Sequence, residues 1–304
     1  MDGLINVDSQ TQPELHEPRR GLVRSTMVLL LLVHLFAVAG VVLGGWSWSG
    51  LALAVGVYFM RMVLVTAGYH RYFSHRAFST SRTFQFLLAL GAQSAAQTGV
   101  LWWASHHRWH HRHSDTPRDL HSAKLQGFWH AHVGWILKGT CQADLHRVPD
   151  LAKYPELRFL NRPGIDVLPA ALLGLAFLLV GGMHGLVWGF MVSTVFLWHG
   201  SFAINSLTHI FGNRRYATAD NSRNHWLLAI LTTGEGWHNN HHHYASAANQ
   251  GFFWWEFDLT YWVLRVWQSL GLVWDLRRPP SKVLAGPLAA GAERVSEVQP
   301  GITM

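Results

Sequence analysis

Four apolar runs, at about 26–46, 50–68, 165–182 and 184–204, dominate this 304-residue sequence. Each is close to the roughly 20 residues that a helix needs to cross a bilayer core. In such a core every backbone polar group must be satisfied within the protein, so runs of this length fold as helices. Composition agrees: 49% of the residues are hydrophobic and 13% are charged, against about 25% charged in average soluble domains. Sixteen tryptophans suit a membrane boundary, where the ring is buried while its N–H stays wet. The expected fold is an all-α integral membrane protein, with four transmembrane helices in two hairpins under a cytoplasmic helical cap. The expected organisation is an N-terminal segment over 1–25, one membrane domain over 26–278 and a flexible tail over 279–304, which is rich in Pro, Gly, Ala and Ser.

Charge sets the orientation. The link Gly45–Gly50 and the link Gly181–Gly185 contain no Lys or Arg, whereas basic residues crowd 1–24, 70–162 and 212–282. The positive-inside rule then puts both termini and the central segment in the cytoplasm, and a multi-pass protein of a bacterial inner membrane is expected. No small-residue cleavage site follows the first apolar run, so it reads as an anchor. Arg61 lies inside the second run and calls for snorkelling or a polar partner. Residues 84–98 and 252–274 are apolar or aromatic, but short or interrupted by Glu256, Asp258 and Arg265, and read as interfacial or docking helices. The net charge of +7 fits the same bias, or contact with anionic lipid or an acidic protein; no nucleic-acid partner is expected. The single cysteine, Cys141, excludes an internal disulfide and a cysteine-based zinc or iron–sulfur site.

Nine histidines fall into four groups at the ends of, or between, these runs: His70 and His75; His107, His110 and His111; His209; and His238, His241 and His242. Imidazole is the commonest protein metal ligand and suits iron and zinc. Spacings of i, i+3, i+4 put each triplet on one face of a helix, and Asn205 and His209 share a face at i, i+4. His70 and His75 are five apart, about 140° around an α-helix, so one must lie beyond a helix end or on a bend. On the topology above, all nine lie on the cytoplasmic side and can converge. Soluble di-iron bundles use Glu and Glu-x-x-His ligands, and that pattern is missing, so a two-metal, nearly all-histidine site is expected. Asp115, Asp119 and Glu235 are close enough in sequence to accept the ligands' other N–H groups, with His121 and His132 as further supporting candidates.

The groups HRYFSH, HRWHH and EGWHNNHH resemble the three histidine boxes of integral-membrane fatty-acid desaturases: H-x4-H, H-x2-H-H and E-x2-H-x2-H-H. The spacing is similar to that of the delta-9 stearoyl-CoA type and related bacterial enzymes. The resemblance extends over about 60–275 and includes the segment NSLTHIFG. It implies two iron ions held by the nine histidines, with Asn205 holding a water near one of them. It implies O2 and two external electrons, used to place a cis double bond, expected at delta-9, in a saturated acyl chain. Acyl-CoA is the first expectation for the carrier, with acyl-carrier protein and acyl lipid open. The resemblance also points to Gln97, Trp103 and Ser201 at the bend of a substrate tunnel and to Tyr58 and Met62 at its floor. One departure stands out: animal acyl-CoA members place Arg-Asp just before the second box, where this chain has Ser105 and His106. With no haem-binding His-Pro-Gly-Gly segment, the resemblance implies a separate electron donor with its reductase, of ferredoxin, rubredoxin or cytochrome b5 type. Such donors are usually acidic, and Arg108, Arg112, Lys124 and Lys138 would offer a basic docking face. The rival functions are a membrane hydroxylase or ketolase built on the same boxes and, from another class, a metal transporter. The latter needs ligands near mid-membrane, where these groups do not lie.

Overall fold

A computed structural model describes residues 20–138 and 142–291. The segment before residue 20, Cys141 and residues 292–304 lie outside the described residues. Helix α1 (Arg20–Gly44) and helix α2 (Trp48–Leu64) are joined by three residues. Gly45 turns the chain at φ 80, and the Ser47 hydroxyl caps α2 by accepting the Gly50 N–H at 3.0 Å. Past Leu64 the helix continues as a π-helix over Val65–Ser74. Helices α3 (Arg82–Gln93) and α4 (Val100–His113) follow. The long apolar element after them comprises α5 (Leu168–His184), a π-helical stretch Gly185–Val192 and α6 (Ser193–Ser206).

Three helical stretches, 25–44, 48–74 and 168–209, are long and apolar enough to cross a membrane. The third, at 42 residues, is about twice the length a bilayer requires. It folds back on itself at Gly182, whose φ of 57 and ψ of −151 are not helical. The two legs then touch: a Cβ on Gly185 would lie 2.4 Å from the Phe177 carbonyl oxygen, and one on Gly189 would lie 2.5 Å from the Phe177 ring. Small residues let helix backbones approach where hydrophobicity alone gives no preference. Gly40 against Val187 and Gly50 against Trp188 bring α1 and α2 onto the second leg in the same way. The two uncharged links sit side by side, with Ser47 Oγ 3.1 Å from His184 Nε2. Apolar side chains on the outer faces, among them Leu31, Leu35, Val42, Leu179 and Val180, are left exposed, as lipid-facing residues are. Arg61 does not snorkel. It is fully buried and donates to Ser193 Oγ at 3.0 Å, Thr194 Oγ1 at 2.8 Å and the Ser94 carbonyl.

The remainder forms a cap containing helices α7 (Trp226–Leu231), α8 (His238–His243) and α9 (Leu259–Ser269). Three expectations need correction. The fold is not purely helical, because β1 (Ser79–Thr80) pairs antiparallel with β2 (Val273–Trp274). The aromatic stretch 252–274 is helical only within α9. The tail expected from residue 279 is anchored as far as Ala289: Ala217 N–H donates to Pro287 O and Ala289 N–H to Arg215 O, each at 2.9 Å. Composition there suggests disorder, but the backbone of 215–217 needs partners, and Leu284 and Leu288 pack on the cluster around Tyr216 and Phe252. The second link gives a test of the hairpin. Gly185→Val forces a side chain onto backbone, and overpacking of this kind costs about 1–3 kcal/mol. Thermal unfolding in detergent should show a clearly lower midpoint, while Gly56→Ala, with nothing within 4 Å, should leave it unchanged or raise it.

Candidate metal centre

The nine histidines converge, and they divide five to four. His70, His75, His107, His111 and His241 bring one ligand nitrogen each to within 4.8 Å of all the others, and so do His110, His209, His238 and His242. Helix geometry explains the division. Residues four apart differ by about 40° around a helix, whereas residues three apart differ by about 60° in the other direction. On α4 the i, i+4 pair His107 and His111 joins the first group and His110 the second. On α8 the i, i+4 pair His238 and His242 joins the second group and His241 the first. Each helix therefore serves both groups, in opposite senses. The i, i+5 pair is reconciled by the π-helix, whose hydrogen bonds span five residues. His75, at its C-terminal cap, donates its N–H to the His70 carbonyl at 3.3 Å, and the two rings meet edge to face at 4.9 Å.

The donor set fits metal ions. Facing nitrogens stand at 3.0 Å for His70 and His241, 2.9 Å for His75 and His107, 2.9 Å for His111 and His241, and 3.1 Å for His209 and His238. Two imidazoles bound at right angles at about 2.1 Å put their nitrogens about 3.0 Å apart. The buried Nε2 atoms of His110 and His242 have no hydrogen-bond partner, a costly state that a cation would relieve.

Four ligands are oriented from behind. His70 Nδ1 pairs with Glu235, His110 Nδ1 with Asp119 at 2.9 Å, His209 Nδ1 with Asp115 at 3.2 Å and His242 Nδ1 with Asp220 at 2.6 Å. Such contacts fix the tautomer and leave Nε2 free to bind. Asp115 reaches its position from just beyond α4 in the left-handed region, φ 56, which Asp tolerates better than most residues. Burial alone would raise the Asp115 carboxyl, but hydrogen bonds from His209 and Ser122 and from the Asn221 amide bring it down to about 2. Asp119, Asp220 and Glu235 are held below the carboxylate range by the same balance. Burial first, then neighbouring imidazoles, push His75, His107, His111, His238 and His241 well below the usual histidine value. His242 goes down to about 4 despite Asp220. These six imidazoles are thus neutral at pH 7, as metal binding requires.

His121 stacks on His110 at 4.1 Å and stands beside the second group. His132 does not: it meets Ser206 and His199, each at 3.0 Å, in a hydrogen-bonded chain that ends at His34. Asp220 and Gln250 were not anticipated. Gln250 donates to Glu235 at 2.9 Å, and neither residue has a spacing that marks it in sequence. A cavity runs from Thr26, Leu29 and Leu30 of α1 to His107, and Gln97, Trp103, Ser201 and Asn205 line it. Three of these are linked, Trp103 Nε1 donating to Gln97 Oε1 at 3.4 Å and Gln97 Nε2 to Ser201 Oγ at 2.9 Å. Tyr58 and Met62 do not line this cavity. Both press on Gly200, the neighbour of Ser201, and the Tyr58 hydroxyl donates to the Leu231 carbonyl. Ser105 and His106 are buried, both turned to the Trp102 carbonyl. Arg108 is not free to dock a partner, since it is tied to Asp150 and to the carbonyls of Phe73, Ser74 and Arg147. Arg112, Lys124 and Lys138 are exposed.

The sequence pattern of the fatty acid desaturases matches residues 46–275. The chain belongs to the fatty acid desaturase family. It is 37% identical to an sn-1 stearoyl-lipid 9-desaturase of Anabaena variabilis over 258 residues, 84% of this chain and 94% of the relative. It is 36% identical to a protein of the same description from Synechocystis, covering 83% and 80%. An acyl-CoA 5-desaturase of Anemone leveillei is also 36% identical, covering 77% and 74%. As a family member this desaturase is an oxidoreductase of lipid metabolism.

Two outcomes follow. Asp119→Asn should weaken one of two metal sites by about 10–100-fold, so that a titration of the metal-free desaturase with Zn2+ shows one limb displaced and one unchanged. The unfolded chain takes up protons near pH 6.5, while the buried imidazoles resist them. Stability of the metal-free protein is therefore full above about pH 6.5 and lost as pH falls. Its thermal midpoint in detergent should be flat from pH 7 to 8 and decline steadily toward pH 5.

Proposed function

We propose that this desaturase introduces a cis double bond at position 9 of a saturated acyl chain carried on a membrane lipid, using two iron ions held by the five-histidine and four-histidine groups. Bound iron, with O2 and two electrons from an external donor protein, supplies the oxidising power that an unactivated C–H bond demands. The balance is one CH2–CH2 unit, O2, two electrons and two protons giving one alkene and two waters. The observation that carries the reading is the cavity joining α1 to His107 and Asn205. Its walls are mainly apolar, as a hydrocarbon chain requires. The Trp103–Gln97–Ser201 hydrogen bonds hold the wall beside His107 in one shape. A fixed wall selects one pair of carbons, because chain length is then measured against it. Asn205, four residues before His209, would hold a water near the four-histidine group.

Two observations support a lipid carrier over acyl-CoA. Ser105 and His106 stand where animal acyl-CoA members carry Arg-Asp, and both are buried and turned inward. One cavity wall is α1 itself, so a chain entering from the bilayer meets the cavity directly. Relatives that cover most of this chain include stearoyl-lipid 9-desaturases and an acyl-CoA 5-desaturase alike, so the choice of carrier rests on the site. In the same reading α1, α2 and the two legs meeting at Gly182 are four membrane spans, with the cap and both termini in the cytoplasm. An acidic donor of ferredoxin, rubredoxin or cytochrome b5 type would then meet Arg112, Lys124 and Lys138 on the cap.

The test is a short pulse of labelled stearate in a desaturase-deficient host expressing the chain or its His107→Ala variant. Mass spectrometry locates the double bond and resolves the carrier pools. A 9-monoene that appears first in glycerolipids and is absent from the variant is expected. A monoene that appears first in the acyl-CoA pool would contradict the carrier, and a hydroxylated acid would contradict the reaction.

A further inference from the structure

The two histidine groups differ in what stands behind them. In the group of four, three ligands turn Nδ1 to three separate carboxylates: His110 to Asp119, His209 to Asp115 and His242 to Asp220. In the group of five only His70 does so, toward Glu235. That carboxylate is shared with a cation. The guanidinium of Arg71 lies 3.1 Å from Glu235 Oε1 and 2.9 Å from Asp258 Oδ1, and the Arg71 side chain is 1% exposed. Among the described residues no Lys or Arg forms an ion pair with Asp115, Asp119 or Asp220. Those three side chains are 2%, 0% and 10% exposed, so solvent and salt screen them little. The three carboxylates are held ionised by backbone amides as well: Asn221 donates to Asp115, the Asp115 and His121 amides to Asp119, and Ser222 to Asp220.

A carboxylate that accepts a ligand's N–H makes that imidazole a stronger donor, and its own charge favours the more highly charged state of the metal. The fifth imidazole of the larger group is neutral and brings no charge. From this asymmetry we infer that the two metal positions are redox-inequivalent: iron in the four-histidine group is oxidised from Fe2+ to Fe3+ first, and iron in the five-histidine group only at a higher potential. Asp115, Asp119 and Asp220 set the lower potential; Arg71, by offsetting Glu235, sets the higher one. They are positioning residues, acting through the ligands they touch. Electrons delivered singly therefore fill the five-histidine position first. The last electron arrives beside His209, at the end of the element that carries Ser201 and Asn205 into the cavity. The inference rests on the two-iron reading above.

The experiment is an anaerobic titration of the full chain, loaded with 57Fe in detergent, using ferricyanide as the one-electron oxidant and Mössbauer spectroscopy as the readout. Two one-electron steps are expected, separated by at least tenfold in equilibrium, about 59 mV. Asp220→Asn should move the lower step upward by at least tenfold and leave the upper step in place, and Glu235→Gln should move only the upper step. If Asp220→Asn retains a single iron, that iron belongs to the five-histidine group and should titrate at the upper midpoint. Two irons oxidised in one common step, or an upper step that moves with Asp220→Asn, would overturn the inference while leaving two-iron binding intact. A chain that binds one iron or none would overturn the two-iron reading and the inference with it.

Discussion

Burying imidazole nitrogens against one another, with no donor to satisfy their lone pairs, is unfavourable, and the rest of the structure is arranged around making that tolerable. A buried polar atom without a partner costs about 1–3 kcal/mol, and the Nε2 atoms of His110 and His242 are both in that state. Their Nδ1 atoms are not: carboxylates behind the ligands hold them. The carboxylates come from segments far apart in sequence, Asp115 and Asp119 after α4, Asp220 in the loop after α6 and Glu235 before α8. Satisfying them draws the cap together over the helix ends. Asp115 alone accepts from His209, Ser122 and the Asn221 amide, and so joins three segments at one point.

The long apolar helices do a complementary job. Gly40, Gly50, Gly185 and Gly189 let them approach closely, and Arg61 ties α2 to α6 through Ser193 and Thr194 and to the end of α3 through Ser94. The resulting bundle fixes where α2 and α6 end. The ligands at those ends, His70 and His209, are thereby delivered to different groups. His75 joins His70 from the π-helix cap, and α4 and α8 supply the other six, each helix giving two histidines to one group and one to the other. Two adjoining histidine groups follow from α4 and α8 each serving both.

Much of this was legible in the sequence because it depends on local spacing. The apolar runs, the breaks near Gly45 and Gly182 and all nine clustered histidines are patterns within single segments. So are Asp115, Asp119 and Glu235, which lie near the boxes they support. What was not legible depends on segments meeting in space. Asp220 lies 22 residues before His242, in a loop with no periodicity, and Gln250 reaches Glu235 only once the cap has closed. His132 looked like a supporting residue by its nearness to the second box, but its partners are Ser206 and His199. The π-helix that brings His75 beside His70 has no composition signal. The anchored segment 279–289 has the composition of a linker, while its order comes from backbone pairing with 215–217. Arg108 looked like a free surface charge and proves to be a brace between α4 and Asp150.

The arrangement of the nine histidines calls for two metal positions, not one large or three small ones. Anomalous diffraction at the iron absorption edge, from crystals of the iron-loaded protein, tests it directly. Two peaks are predicted, one among His70, His75, His107, His111 and His241 and one among His110, His209, His238 and His242. A single peak shared by the two groups, or a peak held instead by His110, Asp119 and His121, which also come close enough to ligate, would contradict it.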